Sequence, residues 1–140
     1  MDSSSLLPFL IGILVVGGLL VFVLMITRRS HKQLDMDKYR SKWMTIEQAL
    51  RRDDPSSHVL CVLNADKLLD QALKERGTTG ETMGERMKNE KTTWSNANAV
   101  WSAHKLRNQI AHEADAKVSY DDTRRALSAF KQGLKDIGAI

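Results

Sequence analysis

The sequence predicts an all-α protein: an N-terminal transmembrane helix followed by a four- to five-helix bundle. Three observations predict it. An uncharged apolar run opens the chain, residues 34 onward carry apolar groups at helical spacing, and no stretch alternates apolar and polar residues as a half-buried strand would.

The run Leu6–Ile26, LLPFLIGILVVGGLLVFVLMI, contains no charged residue. At 1.5 Å per residue it reaches about 31 Å, which matches a hydrocarbon core of about 30 Å. Met1-Asp2-Ser3-Ser4-Ser5 before it carries an acid and no Lys or Arg, and no Ala-x-Ala site follows. A secretory signal would carry positive charge before the run and a small-residue cleavage site after it, so a membrane anchor is expected. Arg28, Arg29 and Lys32 lie just beyond the run, with Lys38, Arg40 and Lys42 close behind. Basic residues stay on the cytoplasmic side, which predicts an outside N-terminus and a cytoplasmic domain at the plasma (inner) membrane. The expected division is a short outer tail over 1–5, the membrane helix over 6–27, a basic linker over 28–34 and the helical domain over 35–140.

The chain has 21 Lys and Arg against 17 Asp and Glu, a net charge of +4. All the basic residues and every acid but Asp2 follow residue 27, which leaves 21 against 16, or +5, beyond the apolar run. That excess suits nucleic acid or an anionic surface as a partner without singling out either. The lone Cys61 allows no internal disulfide and fits a reducing compartment.

Residues 34–52 carry Met36, Tyr39, Trp43, Ile46 and Leu50 at 3-4-3-4 spacing, one buried stripe of a helix. Whether it continues from the membrane helix or breaks near Ser30-His31 is left open. Asp53-Asp54-Pro55 ends it. Asp54 can cap the next helix and Pro55 suits its first position.

That next helix, 55–75, is stopped by Gly77 and is apolar over a very wide arc, with Asn64, Lys67, Gln71, Lys74 and Glu75 on a narrow solvent face. It is expected at the centre of the bundle. Asp66 and Asp70 fall inside the apolar arc, and a carboxylate there needs a cationic partner or access to water. Arg107 and His112 are the expected partners. Gly77-Thr78-Thr79-Gly80 is a turn, and 81–90 a short polar helix whose Met83 and Met87 cover the bundle end.

A helix over 94–113 carries Lys105-Leu106-Arg107-Asn108-Gln109-Ile110-Ala111-His112-Glu113. Ala99, Ala103, Leu106 and Ile110 should meet the core. Trp94, Ala97, Trp101, His104, Asn108 and His112 share a second face, and large aromatics off the core stripe usually cover something: the last helix or another subunit. A homodimer through this face is expected. Ser119 with Asp122 makes a capping-box variant before a last helix to about 137, with Leu127, Phe130, Leu134 and Ile137 inward.

The Arg107-Asn108-x-x-Ala-His112 stretch resembles the Arg-x4-His signature of the HEPN (higher eukaryotes and prokaryotes nucleotide-binding) domain. The resemblance covers residues 40–137: an early helix with buried acids, a variable middle, the motif near a helix end and a capped final helix. It implies a metal-independent ribonuclease of defence or stress, its site shared across a dimer. By that resemblance Arg107 binds the scissile phosphate, His112 is the general acid/base, and Asn108 orients the histidine or a phosphate oxygen, with Asp66 and Asp70 as supporting acids. Imidazole titrates near neutral pH, and a guanidinium fits phosphate oxygens as a fork. The sequence departs from toxin-type members, which often place an aromatic two residues after the histidine; here Glu113 and Ala114 follow. The alternative is a non-catalytic helical module, its polar cluster fastening the bundle, that docks a partner at the cytoplasmic membrane face.

Other chemistry finds no support in spacing. His104 and His112 with Glu113 or Asp115 lack the HExxH or CxxC arrangement of metal ligands, and no phosphate-binding glycine loop occurs. No cofactor is expected. Trp43, Trp94 and Trp101 could stack on bases, but on striped helices they read first as core or interface.

Overall fold

The structure, a computed structural model, describes residues 3–27, 31–113 and 115–140. They form six α-helices and no strand, in two units divided after Ser30.

The first unit is α1 (Ser3–Thr27), with Pro8 near its start. Its stretch Leu7–Met25 spans 19 residues at a mean hydropathy of 2.9, and none of it is buried. Among the described residues it is the one helix long and apolar enough to cross a membrane.

The second unit begins before its first helix. The Lys32 N–H donates to the Arg76 carbonyl at 3.0 Å, and Leu34 is buried. From His31 onward the expected linker is therefore part of the bundle; its remainder, with Arg28 and Arg29, lies outside the described residues. Residues 31–35 are not helical, so α2 (Met36–Ala49) starts afresh from Asp35, whose carboxylate accepts the Lys38 N–H at 3.0 Å. The predicted stripe holds for Tyr39, Trp43 and Ile46, which are buried. Met36, in the first turn, is exposed.

Helix α3 (Pro55–Arg76) has Asp54 as its cap, Pro55 in its first turn and Gly77 at its end. Gly77 takes φ +89°, which a side chain would resist, and its N–H returns to the Lys74 carbonyl at 3.0 Å. Val62, Ala65, Leu69, Ala72 and Leu73 are wholly enclosed. The apolar arc is wide because α3 touches each of α2, α4 (Met83–Asn89), α5 (Ala97–His112) and α6 (Tyr120–Asp136). Truncating Leu69 to Ala should cost about 2–5 kcal/mol on the scale of enclosed leucines.

Helix α4 starts at a Thr82 cap and buries Met83 and Met87, as expected. Helix α5 starts later than predicted. Asn96 caps it by accepting the Ala99 N–H at 3.1 Å, which leaves Trp94 in the preceding turn. Trp94 is buried there, donates its indole N–H to the Met87 carbonyl at 2.9 Å and lies over Gly133 of α6. A Cβ at Gly133 would come within 3.3 Å of Leu69 and 3.5 Å of the Trp94 ring, so glycine is what lets α6 approach. Trp101 packs over Gly84 of α4, and Ala97 against the core. Trp94 is thus covered from within the chain, while Trp101 is only partly buried and also borders the groove between α3, α4 and α5. Val100, unremarked in the sequence, is the most enclosed side chain of α5. Ser119 caps α6 as predicted, and Phe130 and Leu134 close the core.

Candidate functional site

Helices α3 and α5 bring four polar side chains into one closed ring. Asp66, deep in the apolar arc of α3, has a side chain only 4% exposed. His104 Nδ1 lies 2.7 Å from its Oδ1, and Arg107 Nε lies 3.2 Å from its Oδ2. Asn108 completes the circuit: Arg107 Nη1–H donates to Asn108 Oδ1 at 3.0 Å, and Asn108 Nδ2 stands 3.3 Å from His104 Nε2. A buried carboxylate is costly unless paired and hydrogen-bonded, and here each oxygen has its own partner. His104, Arg107 and Asn108 can all reach because positions i, i+3 and i+4 share one helix face.

One arrangement of protons satisfies the ring with a neutral imidazole. Nδ1–H donates to Asp66, which leaves the Nε2 lone pair to accept from the Asn108 NH2. The Trp101 ring stands edge-on to His104, 6.2 Å between centroids, and walls it from one side.

The ring forms part of the wall of a groove of about 1030 Å³ between α3, α4 and α5. Five Lys and Arg border the groove, Lys67, Lys74, Arg86, Lys105 and Arg107, against the carboxylates of Asp66, Asp70 and Glu81. Lys67, Lys74 and Lys105 are exposed. The Arg107 side chain is 38% exposed, so its guanidinium faces both the ring and the groove.

Of the residues singled out in the sequence, Arg107, Asn108 and Asp66 come together. Asp70 does not join them. It pairs with Arg86 of α4, whose Nε and Nη2 lie 2.8 and 2.7 Å from Oδ1, and with Lys74 at 2.7 Å. Neither Arg107 nor His112 is its partner, because Asp70 lies one turn beyond Asp66 on α3, where Arg86 of α4 meets it. His112, the last residue of α5, is exposed; it neither borders the groove nor hydrogen-bonds to a described residue. The histidine of the ring is His104, one turn before the arginine. Its signal was present in the sequence as the i, i+3, i+4 spacing of His104, Arg107 and Asn108, which the Arg-x4-His spacing overshadowed.

A second polar cluster lies at the far end of α3. Glu90, nearly enclosed, accepts from the Thr78 and Thr93 hydroxyls at 2.7 and 2.8 Å, with His31 and Arg76 at 3.8 and 4.0 Å. Burial pushes its carboxyl up, but the two hydroxyls and the nearby cations outweigh it and hold it below the usual range. Cys61 is buried and donates to the Ile46 carbonyl; burial pushes its thiol up, the opposite of a reactive cysteine. Among the described residues no three His, Cys, Asp or Glu stand together as metal ligands.

No family model, curated protein or solved structure matches this chain.

Proposed function

We propose that the chain is a membrane-anchored HEPN-type module that takes single-stranded RNA in the α3–α4–α5 groove and cleaves it without a metal. The observation that carries this reading is the position of Arg107: tethered to a buried carboxylate, yet 38% exposed in a groove with more basic than acidic groups. An arginine that only fastened a bundle would have no need of the groove. One held by Nε and Nη1 keeps Nη2 for a phosphate oxygen.

In this mechanism the Arg107 guanidinium binds the scissile phosphate and stabilises the charge that develops on its oxygens. An imidazole takes the proton of the ribose 2′-hydroxyl as that oxygen attacks phosphorus. The bond to the 5′-oxygen breaks, and the imidazolium returns the proton to the leaving oxygen. The products are a cyclic phosphate end and a free 5′-hydroxyl. His112 fills the acid/base role by the family resemblance, and its exposed position away from the groove requires a second copy to bring it there. The site is therefore composite, Arg107 and Asn108 from one chain facing His112 from another. A membrane anchor favours such pairing by raising local concentration. The basic residues that follow α1 support a cytoplasmic bundle, on the side where RNA is found.

The test is RNA cleavage by the full chain in EDTA. Cleavage should persist there, stop when the 2′-hydroxyl is replaced by hydrogen, and vanish in Arg107→Ala and His112→Ala while both variants stay folded. The second reading, a helical module that docks a protein partner, is favoured by the closed ring itself, which would serve as a clamp between α3 and α5. It predicts no RNA loss in any variant.

A further inference from the structure

The ring around Asp66 has a property that the RNA reading does not use: its hydrogen bonds can run in two directions, and one proton decides which. With His104 neutral, Nδ1–H points to Asp66 and Nε2 accepts from the Asn108 amide nitrogen, 3.3 Å away. The Asn108 oxygen then faces Arg107 Nη1 at 3.0 Å, and the guanidinium is occupied on two of its nitrogens. Adding a proton to Nε2 places N–H against NH2, two donors with no acceptor between them. The contact becomes favourable again if the Asn108 amide turns over, so that its oxygen accepts from Nε2–H. The turned amide then presents NH2 to Arg107 Nη1, which is again donor against donor, and Arg107 loses Asn108 as an acceptor.

We propose that His104 is the positioning residue of this groove: on taking up a proton it turns Asn108 over and releases Arg107 to grip an RNA phosphate. The proposal rests on the RNA reading of the same groove and adds its regulation. In the protonated state Asp66 holds two cations through its two oxygens, so Arg107 stays tethered by Nε while both Nη groups face the groove. The Asn108 NH2 joins them as a donor. A phosphate supplies acceptor oxygens for all of these, and its negative charge offsets the extra proton. Proton uptake and phosphate binding therefore favour each other, and the coupling is reciprocal.

The surrounding charges agree with a single controlling proton. On α3 Asp66 contacts the imidazole, while Asp70 is already taken by Arg86 of α4 and by Lys74. Glu81 precedes α4 at the groove's edge, and Lys67 and Lys105 border it as exposed cations. The charged groups of α6 nearest α5, Asp122 and Arg125, border a separate groove between those two helices.

The experiment uses the full chain in neutral-lipid nanodiscs and a short 2′-O-methylated single-stranded RNA, which binds but cannot be cleaved. Affinity is measured between about pH 8 and about pH 5.5, alongside the NMR signals of the Asn108 side-chain amide and the Arg107 Nε–H. Wild type should bind more tightly as pH falls, by up to about tenfold per pH unit, the limit for one coupled proton. His104→Gln, which cannot take the proton, should lose that dependence. Equal pH dependence in both proteins overturns the proposal. If RNA binds at no pH, the RNA reading fails by itself, and the NMR signals still decide the device. Asn108 and Arg107 signals that move together with the His104 titration uphold it, and signals that stay fixed overturn it. The same wild-type spectra decide if His104→Gln does not fold.

Discussion

Two aspartates one turn apart on α3 each meet an arginine, and the two pairs end in different states. Arg86 spends Nε and Nη2 on Asp70 and Nη1 on the Gly80 carbonyl, and its side chain is 5% exposed. Every face of that guanidinium is committed to holding α4 on α3. Arg107 makes one contact with Asp66 and one with Asn108, and remains 38% exposed beside an open groove. The same residue type, at neighbouring points of one groove, is a fastener in the first case and an available donor in the second. The difference comes from what surrounds the arginine: a short helix and a turn close over Arg86, and among the described residues none closes fully over Arg107.

If that contrast is right, stability should track the buried arginine and ligand binding the exposed one. The largest expected effect is Arg86→Ala, which leaves Asp70 with Lys74 alone, removes the tie to the Gly80 turn and empties the space of a nearly enclosed side chain. About 3–5 kcal/mol should be lost, read as a lower denaturant midpoint. Loss of less than about 1 kcal/mol would erase the contrast. Next is Asp66→Ala, which leaves the His104 Nδ1–H without its acceptor. About 1–3 kcal/mol should go in chemical denaturation, together with the hold on Arg107.

A third carboxylate sharpens the comparison, because hydroxyls rather than an arginine are its nearest partners. Glu90 is held below the usual carboxyl range in the folded state. Its contribution is therefore present above the unfolded carboxyl's titration near pH 4.3 and is lost as pH falls through the lower folded value. Glu90→Gln should lower the melting temperature at neutral pH and flatten its decline on acidification. A decline as steep as wild type's would show that Glu90 is not its source. The smallest stability effect belongs to Arg107→Ala, about 1 kcal/mol or less, since a partly exposed pair is screened by water.

How much of this was legible in the sequence differs between fold and site. The bundle was readable because α2, α3 and α6 carry apolar stripes at helical period and end in caps with unambiguous chemistry: Asp54-Pro55, Gly77 and Ser119 with Asp122. The wide arc of α3 announced its central place. Trp94 was misread because helical period was extended through a segment that Asn96 interrupts, and the indole packs inward from a turn. The Asp66–Arg107 pair followed from a carboxylate on an apolar arc, a local signal. The Asp70–Arg86 pair did not, since it depends on α4 folding back against α3, which no spacing reveals. His104 was overshadowed by the six-residue Arg-x4-His motif ending at His112, although helix geometry favours partners three and four residues apart.

The central claim is that Arg107 serves a ligand rather than the bundle. Its most direct test is the affinity of wild type and Arg107→Ala for 2′-O-methylated single-stranded RNA, with thermal unfolding recorded on the same two samples. The account predicts that affinity falls by at least about tenfold, the worth of one charge-assisted phosphate contact, while the melting temperature moves by no more than about 5 °C. Unchanged affinity with a melting temperature lowered by more than about 10 °C would contradict it, and would make Arg107 a fastener like Arg86.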